Sequence, residues 1–234
     1  MTFTREKNQG INAREIEKRI YLDFLHENFI ITFAHPPKGP NTYFKVREQL
    51  LKQELETPTT SQNISLVHAA WQNPKEKYSK EVIDIIRNRW LWCFTGILYV
   101  PNEGAYILDK PEVKDDKIIM NKSDLTKRLE EKDSRARFVP FGYKIGPQTI
   151  RELSKNKFLY NLVGEETTEK LAETCGEHKH KPFISSFNNI EEELVRVVAF
   201  NYNPGLEWFY LLGDCYGSDR GGSSFGHMLL VKSA

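Results

Sequence analysis

The chain lacks any apolar run near the ~18 residues of a membrane-crossing helix, so no membrane partner is expected. It is poor in cysteine: Cys93, Cys175 and Cys215 are odd in number and widely separated, which argues against a disulfide framework. The first ten residues carry no hydrophobic region of a secretory signal, so the expected compartment is the cytoplasm. An excess of one charge is also missing. Lys plus Arg number 33 against 32 for Asp plus Glu, so no duplex nucleic acid is expected as a partner. The densest basic stretch, Lys122, Lys127, Arg128, Lys132, Arg135 and Arg137, is interrupted by Asp124, Glu130, Glu131 and Asp133. It reads as a solvated mixed-charge helix.

Catalytic motifs are equally scarce. No Gly-x4-Gly-Lys-Ser/Thr run exists, and no Ser or Cys stands in a nucleophile elbow from which a triad could be built. Glu112-Val-Lys114 imitates a nuclease motif, but Asp109 is too near in sequence to complete its metal pocket. Cys175, His178 and His180 are proper zinc ligands by type, yet their spacing matches no common structural-zinc pattern, and no metal is assigned. No cofactor is implied, and nothing decides between an enzyme and a binding protein.

Aromatic side chains are plentiful, with 14 Phe, 10 Tyr and 4 Trp, and 39% of residues are hydrophobic. Such a composition belongs to an ordinary soluble globular protein. Apolar positions Ala13, Ile16, Ile20 and Phe24 recur at helical spacing, predicting a helix over 13–28. A strand is expected over 29–34, and a loop over His35-Pro-Pro-Lys-Gly-Pro40. Further helices are expected from a cap at Asn41 or Thr42 to about Glu56, and over 75–89. Ile64–Trp71 reads as a strand, and Trp90–Val100, apolar at nearly every position, as a strand covered on both faces.

Beyond Val100, short strands are expected over 105–108 and 117–120. A helix follows from Ser123, then an edge-like segment over 138–143. Helical pieces should occupy 149–155, 158–163 and 165–174. Strands over 193–200, 206–212 and 226–232 would close the chain as an antiparallel meander. The expected fold class is α+β: a mixed sheet with helices in the first half and an antiparallel C-terminal β-meander. Residues 1–234 are read as a single globular domain, with any weak seam falling within 109–135.

The richest candidate site is the glycine-rich stretch Gly213–Gly226. Asp214 and Asp219 offer metal-type carboxylates, Arg220 a bidentate anion donor, and Gly221 and Gly222 a backbone open to close approach. His35 stands at the end of a strand, where ligands of layered sheets gather. These six residues predict a pocket for a small anionic or nucleotide-like ligand. The alternative is a non-catalytic interaction module or single-strand nucleic-acid binder. It would use an aromatic sheet face bearing Trp208 and Tyr210, with Tyr202, Tyr216 and Arg196 nearby.

Overall fold

The computed structural model describes residues 10–228. The fraying expected over residues 1–9, and the last four residues of the strand expected over 226–232, lie outside that range.

The described residues begin with strands, not with the helix expected over 13–28. β1 (Asn12–Ile16), β2 (Arg19–His26) and β3 (Phe29–Asn41) form two consecutive hairpins. Glu17 and Lys18 turn the first with φ of 50° and 64°, and Glu27 turns the second with φ of 53°. Two positive φ values in a two-residue loop match the right-handed twist of the flanking strands. No glycine or asparagine-glycine pair marks the Glu17-Lys18 turn, so the sequence does not announce it. The true periodicity is two: Leu22 and Phe24 are buried, whereas Ile16, part of the helical stripe, is 42% exposed.

The proline-rich segment is also not the loop expected. β3 continues through His35–Pro40 to Asn41 because its partner strand, β13 (Gly222–His227), pairs with it intermittently. Register shifts on either side of Ser224 skip the prolines, which have no N–H to give to a ladder. At Gly39 (φ 101°) a Cβ would lie 2.5 Å from the Gly222 carbonyl, so only glycine lets the strands approach there.

α1 (Tyr43–Leu51) is capped by Thr42 and buries Tyr43, Val46 and Leu50 along one stripe. α2 (Thr60–Gln72) replaces the strand expected over 64–71. Its capping box, Thr59 with Gln62, starts the helix, and burial on nearly every side explains why its apolar run mimics a strand. α3 (Lys77–Asn88) and β4 (Trp90–Val100) follow as expected. In β4, Leu91, Cys93, Ile97 and Tyr99 enter the main core, while Trp92, Phe94, Leu98 and Val100 pack on the other face.

β5 (Gly104–Asp109) and β8 (Ala136–Pro140) extend the sheet beside β4. Between them lie the small hairpin β6 (Glu112–Lys114) and β7 (Lys117–Ile119), then α4 (Lys122–Glu130). The two-residue β9 (Gly146–Pro147) precedes α5 (Ile150–Leu153), α6 (Lys157–Val163) and α7 (Glu165–Glu177), close to the three pieces expected. β10 (Lys181–Ser185), β11 (Leu194–Asn203) and β12 (Trp208–Cys215) complete the elements before β13.

The fold is α+β, with strand order β1-β2-β3-β13-β4-β11-β12-β10-β9. The C-terminal strands are antiparallel, β11 with β12 and β13 with β3. β13 lies between β3 and β4 rather than beside β12. The glycine-rich connection therefore passes β11 and β4 instead of turning a hairpin tip. Helices lie on both faces: α2, α3, α6 and α7 with the main core, α1 and α4 on the other side.

A buried polar chain ties these layers together. Thr95, at an irregularity of β4, accepts from Thr60 N and donates to Asp109, which also receives Arg137 Nη1 at 2.7 Å. Two histidines, His26 half-buried and His68 buried, tie β2 and α7 to α2: His26 Nδ1 meets Ser65 Oγ at 2.9 Å, and His68 Nδ1 meets Thr174 Oγ1 at 3.0 Å. Burial first, then Lys170, holds both imidazoles down to about 4, against the opposing pull of Glu166 and Glu177. Between that value and the ordinary value of about 6.5, the unfolded chain binds more protons than the folded one. The histidine contribution to stability is thus complete above about pH 6.5 and lost as pH falls toward about 4. Melting temperatures should decline across this window. A flat profile down to about pH 5 would contradict it.

Candidate functional site

The six residues nominated by sequence occupy four separate settings. Asp214, at the end of β12, accepts a 2.6 Å hydrogen bond from Ser185 Oγ of β10. Asp219 and Arg220 stand exposed on the connection between β12 and β13, and no ion pair is formed by either among the described residues. His35 is bound elsewhere: its Nε2 lies 2.8 Å from Glu81 of α3, and its ring packs against Tyr78 and Phe225. Phe225 belongs to the main core, whereas Gly222 backs onto Trp92 in the core beneath α1. No hydrogen bond or ion pair joins His35 to the loop residues among the described residues.

Gly221 and Gly222 are both packed against tryptophan. A Cβ on Gly221 would stand 3.3 Å from Trp90 Nε1, and one on Gly222 only 2.0 Å from Trp92 Nε1. The indole of Trp92 is itself fixed by its 3.0 Å bond to the Asn41 carbonyl. Close approach does require glycine at 222, and the approaching group is an indole.

Cys175 is 1% exposed on α7, where burial pushes its thiol up to about 12. His178 and His180 instead flank Trp71, with ring centroids 4.6 and 4.7 Å away. Burial lowers His180 to about 4, aided by His178 and Arg87. Among the described residues no group of three or more metal-binding side chains converges. The Ser65–His26 contact has the residue types of a catalytic dyad, but Ser65 is fully buried, so its hydroxyl cannot meet a substrate. A cleft of about 480 Å³ nearby is lined by Glu165, Glu166, Glu169, Glu173, Lys170 and His68.

Arg196 presents a different case. It is 9% exposed, yet no carboxylate lies within ion-pair distance among the described residues. Its guanidinium sits 4.0 Å from the ring centroid of Tyr216 and 5.8 Å from that of Phe187. Nη1 donates to the Val195 carbonyl at 2.8 Å, and Nε is buried with no partner. Five N–H groups are available on a guanidinium, so most of its donor capacity is unspent. A buried charge without an opposite charge is costly, and stacking between two rings offsets only part of that cost.

Register places it there. Arg196 pairs with Ile97 of β4 just before the irregularity that follows Val197. Tyr216, the first residue beyond β12, is 71% exposed and covers the guanidinium. An adjoining cleft of about 440 Å³ brings in Phe44 of α1, Lys117 of β7, Asp116 and Ser218 beside Arg196 and Tyr216. The end of β12 is anchored by Tyr99, which donates to the Gly213 carbonyl at 2.8 Å while its oxygen meets Ser186 Oγ at 2.8 Å. One tyrosine has one proton, so Ser186 must donate in that second bond.

No protein-family model, curated protein or solved structure matches the chain.

Sequence alone marks Arg196 as a charge among apolar strand residues. It does not show that the charge is buried, because that depends on Tyr216 folding back over β11.

Proposed function

We propose that the protein binds a small anionic, nucleotide-like ligand in the cleft at Arg196. The observation that carries this reading is the buried guanidinium with an unpartnered Nε and no facing carboxylate. Lys117 adds a second cation against the single carboxylate of Asp116, leaving the lining with a net positive charge. A phosphate or carboxylate there would accept in-plane N–H bonds from Arg196, the geometry for which guanidinium is suited. The exposed ring of Tyr216 and that of Phe44 supply flat apolar surface for a base or similar ring. Tyr216 and Ser218 come from the glycine-rich stretch, so the reading keeps that segment as part of the site and moves the pocket away from His35.

The reading is one of binding. Arg196 and Lys117 neutralise and orient charge; they supply neither a nucleophile nor a base.

A thermal-shift panel pairing each phosphorylated compound with its neutral counterpart tests it, for instance adenosine monophosphate against adenosine. At a concentration near 100 Kd, a true ligand adds about 2.7 kcal/mol. For a domain of this size that is a rise of roughly 5–10 °C in Tm. The phosphorylated members should shift the transition and the neutral ones should not. Equal shifts within each pair, or none across the panel at millimolar concentration, would refute the proposal.

A further inference from the structure

On α7, Glu165, Glu169 and Glu173 recur at every fourth residue, so they stand about 6 Å apart along one stripe of the helix. All three line the cleft of about 480 Å³ where α7 meets α2 and β2, together with Glu166, Lys170, His68 and Leu25. The one cation of that lining is already engaged. Lys170 Nζ lies 3.0 Å from Glu166 Oε1 and donates to the Leu25 carbonyl at 3.3 Å. Glu165 meets the Tyr160 hydroxyl, and neither Glu165 nor Glu169 forms an ion pair among the described residues. The cleft therefore keeps an excess of negative charge.

The buried member of the lining is a histidine with an open acceptor. His68 is 5% exposed, and its Nδ1 meets Thr174 Oγ1 at 3.0 Å. Thr174 donates its single hydroxyl proton to the Lys170 carbonyl at 2.8 Å. The threonine oxygen must then accept from Nδ1–H, which leaves the imidazole lone pair on Nε2. Nε2 makes no hydrogen bond among the described residues, and Glu173 Oε2 stands 3.8 Å away, beyond bonding distance. Burial first, then Lys170, keeps this imidazole neutral at pH 7, so protonation of Nε2 does not close the gap. Two acceptors thus face each other across a space that a donor would fill. A metal ion would need further side-chain ligands, and no group of three converges among the described residues. An ammonium group brings its own N–H donors and needs only acceptors.

We propose that this cleft binds a linear aliphatic polyamine. One ammonium donates to His68 Nε2 and Glu173 together, and the following ones meet Glu169 and Glu165. Ammonium groups joined by three or four methylenes are spaced much as the carboxylates are, one helical turn apart. Leu25 offers apolar surface to the methylenes between them. A lone ammonium forgoes this gain, because each further ammonium on the same chain binds as an intramolecular step. The cleft shares no lining residue with the Arg196 site and has the opposite charge, so the two readings stand or fall separately.

Isothermal titration calorimetry with spermidine at about 50 mM salt tests it, since surface charge is only partly screened there. Spermidine should bind saturably at one site, whereas butylamine and magnesium chloride at matched ionic strength should not. The double variant Glu169→Gln/Glu173→Gln should weaken binding about tenfold, the share of two exposed charge pairs. Both side chains are exposed, and circular dichroism of the variant confirms folding. Glu130→Gln on α4, on the other side of the sheet, should leave the affinity as it is. A second readout follows the acceptor itself. His68→Asn keeps an N–H for Thr174 and removes Nε2, so it identifies the Nε2 resonance in ¹⁵N-histidine-labelled protein. That resonance should move as spermidine is added and stay in place with butylamine. No saturable binding, equal binding of butylamine or magnesium, or an equal loss in Glu130→Gln would overturn the proposal. So would wild-type affinity in the double variant, or an Nε2 resonance that stays fixed while spermidine binds.

Discussion

Arg196→Met is expected to raise the stability of the ligand-free protein while abolishing its response to phosphorylated ligands. An arginine kept for structure would behave the opposite way, losing stability on replacement. Here the guanidinium is 9% exposed, makes one hydrogen bond to the Val195 carbonyl and leaves Nε unpartnered. Methionine has a similar unbranched stem and fits between Tyr216 and Phe187, where sulfur–aromatic contacts replace part of the cation–π attraction. Replacing buried ionic groups by apolar ones of similar volume is often neutral or stabilising, and an unpaired charge gives the clearer gain. A rise of roughly 1 kcal/mol corresponds to about 2–4 °C in Tm for a domain this size. Differential scanning calorimetry with and without adenosine monophosphate reads both effects. Arg196→Lys supplies the control. It keeps the charge and should keep a weakened ligand response, because an ammonium is a point donor without the planar fork. A methionine variant that melts several degrees lower, or that still responds to the ligand, would mean the guanidinium is satisfied in a way its surroundings do not show.

Gly222→Ala should be the most damaging single-methyl change among the nominated residues. The added Cβ would stand 2.0 Å from Trp92 Nε1 and 2.3 Å from Cε2, distances no side chain tolerates. Trp92 is fully buried and cannot rotate away without losing its bond to the Asn41 carbonyl. Overpacking typically costs about 1–3 kcal/mol, and breaking the indole hydrogen bond adds roughly 1–3 kcal/mol more. A loss near 3–4 kcal/mol is expected in urea unfolding. Gly221→Ala, whose Cβ meets Trp90 at 3.3 Å, should cost far less. Shrinking the obstacle, as in Gly222→Ala/Trp92→Leu, should show favourable coupling of about 1 kcal/mol or more in a double-mutant cycle. A Gly222→Ala protein of unchanged stability would place the indole elsewhere.

The two variants also mark where the sequence was legible. Elements with a strong periodic or capping signal were readable: the doubly covered β4, α1 behind Thr42, α3, and the three helical pieces from α5 to α7. The α+β class followed from them. Where the reading failed, tertiary context outweighed local signals. α2 is buried on nearly every side, which erases the polar stripe of a helix and leaves the Thr59–Gln62 capping box as its local helix signal. The first hairpin turns on Glu17 and Lys18, residues with no turn preference, so Ala13, Ile16, Ile20 and Phe24 passed for a helical stripe.

The candidate site was legible only in part. The glycine-rich stretch was visible, but the insertion of β13 between β3 and β4, which sends that stretch across the sheet, was not. Two of its glycines answer to tryptophans, and His35 answers to Glu81. Arg196 is visible in the sequence only as a charge near the aromatic residues of the C-terminal strands. Its burial arises from Tyr216, which lies twenty residues further along the chain.

The most direct test is to watch the Arg196 side chain itself. In a two-dimensional ¹H–¹⁵N spectrum of labelled protein, the Nε–Hε resonance absent from the Arg196→Met spectrum identifies that group. Titration with adenosine monophosphate should move this resonance along a saturable curve, while adenosine at the same concentrations leaves it in place. A resonance that stays fixed while the protein demonstrably binds the nucleotide would place the ligand elsewhere and contradict the assignment of the site.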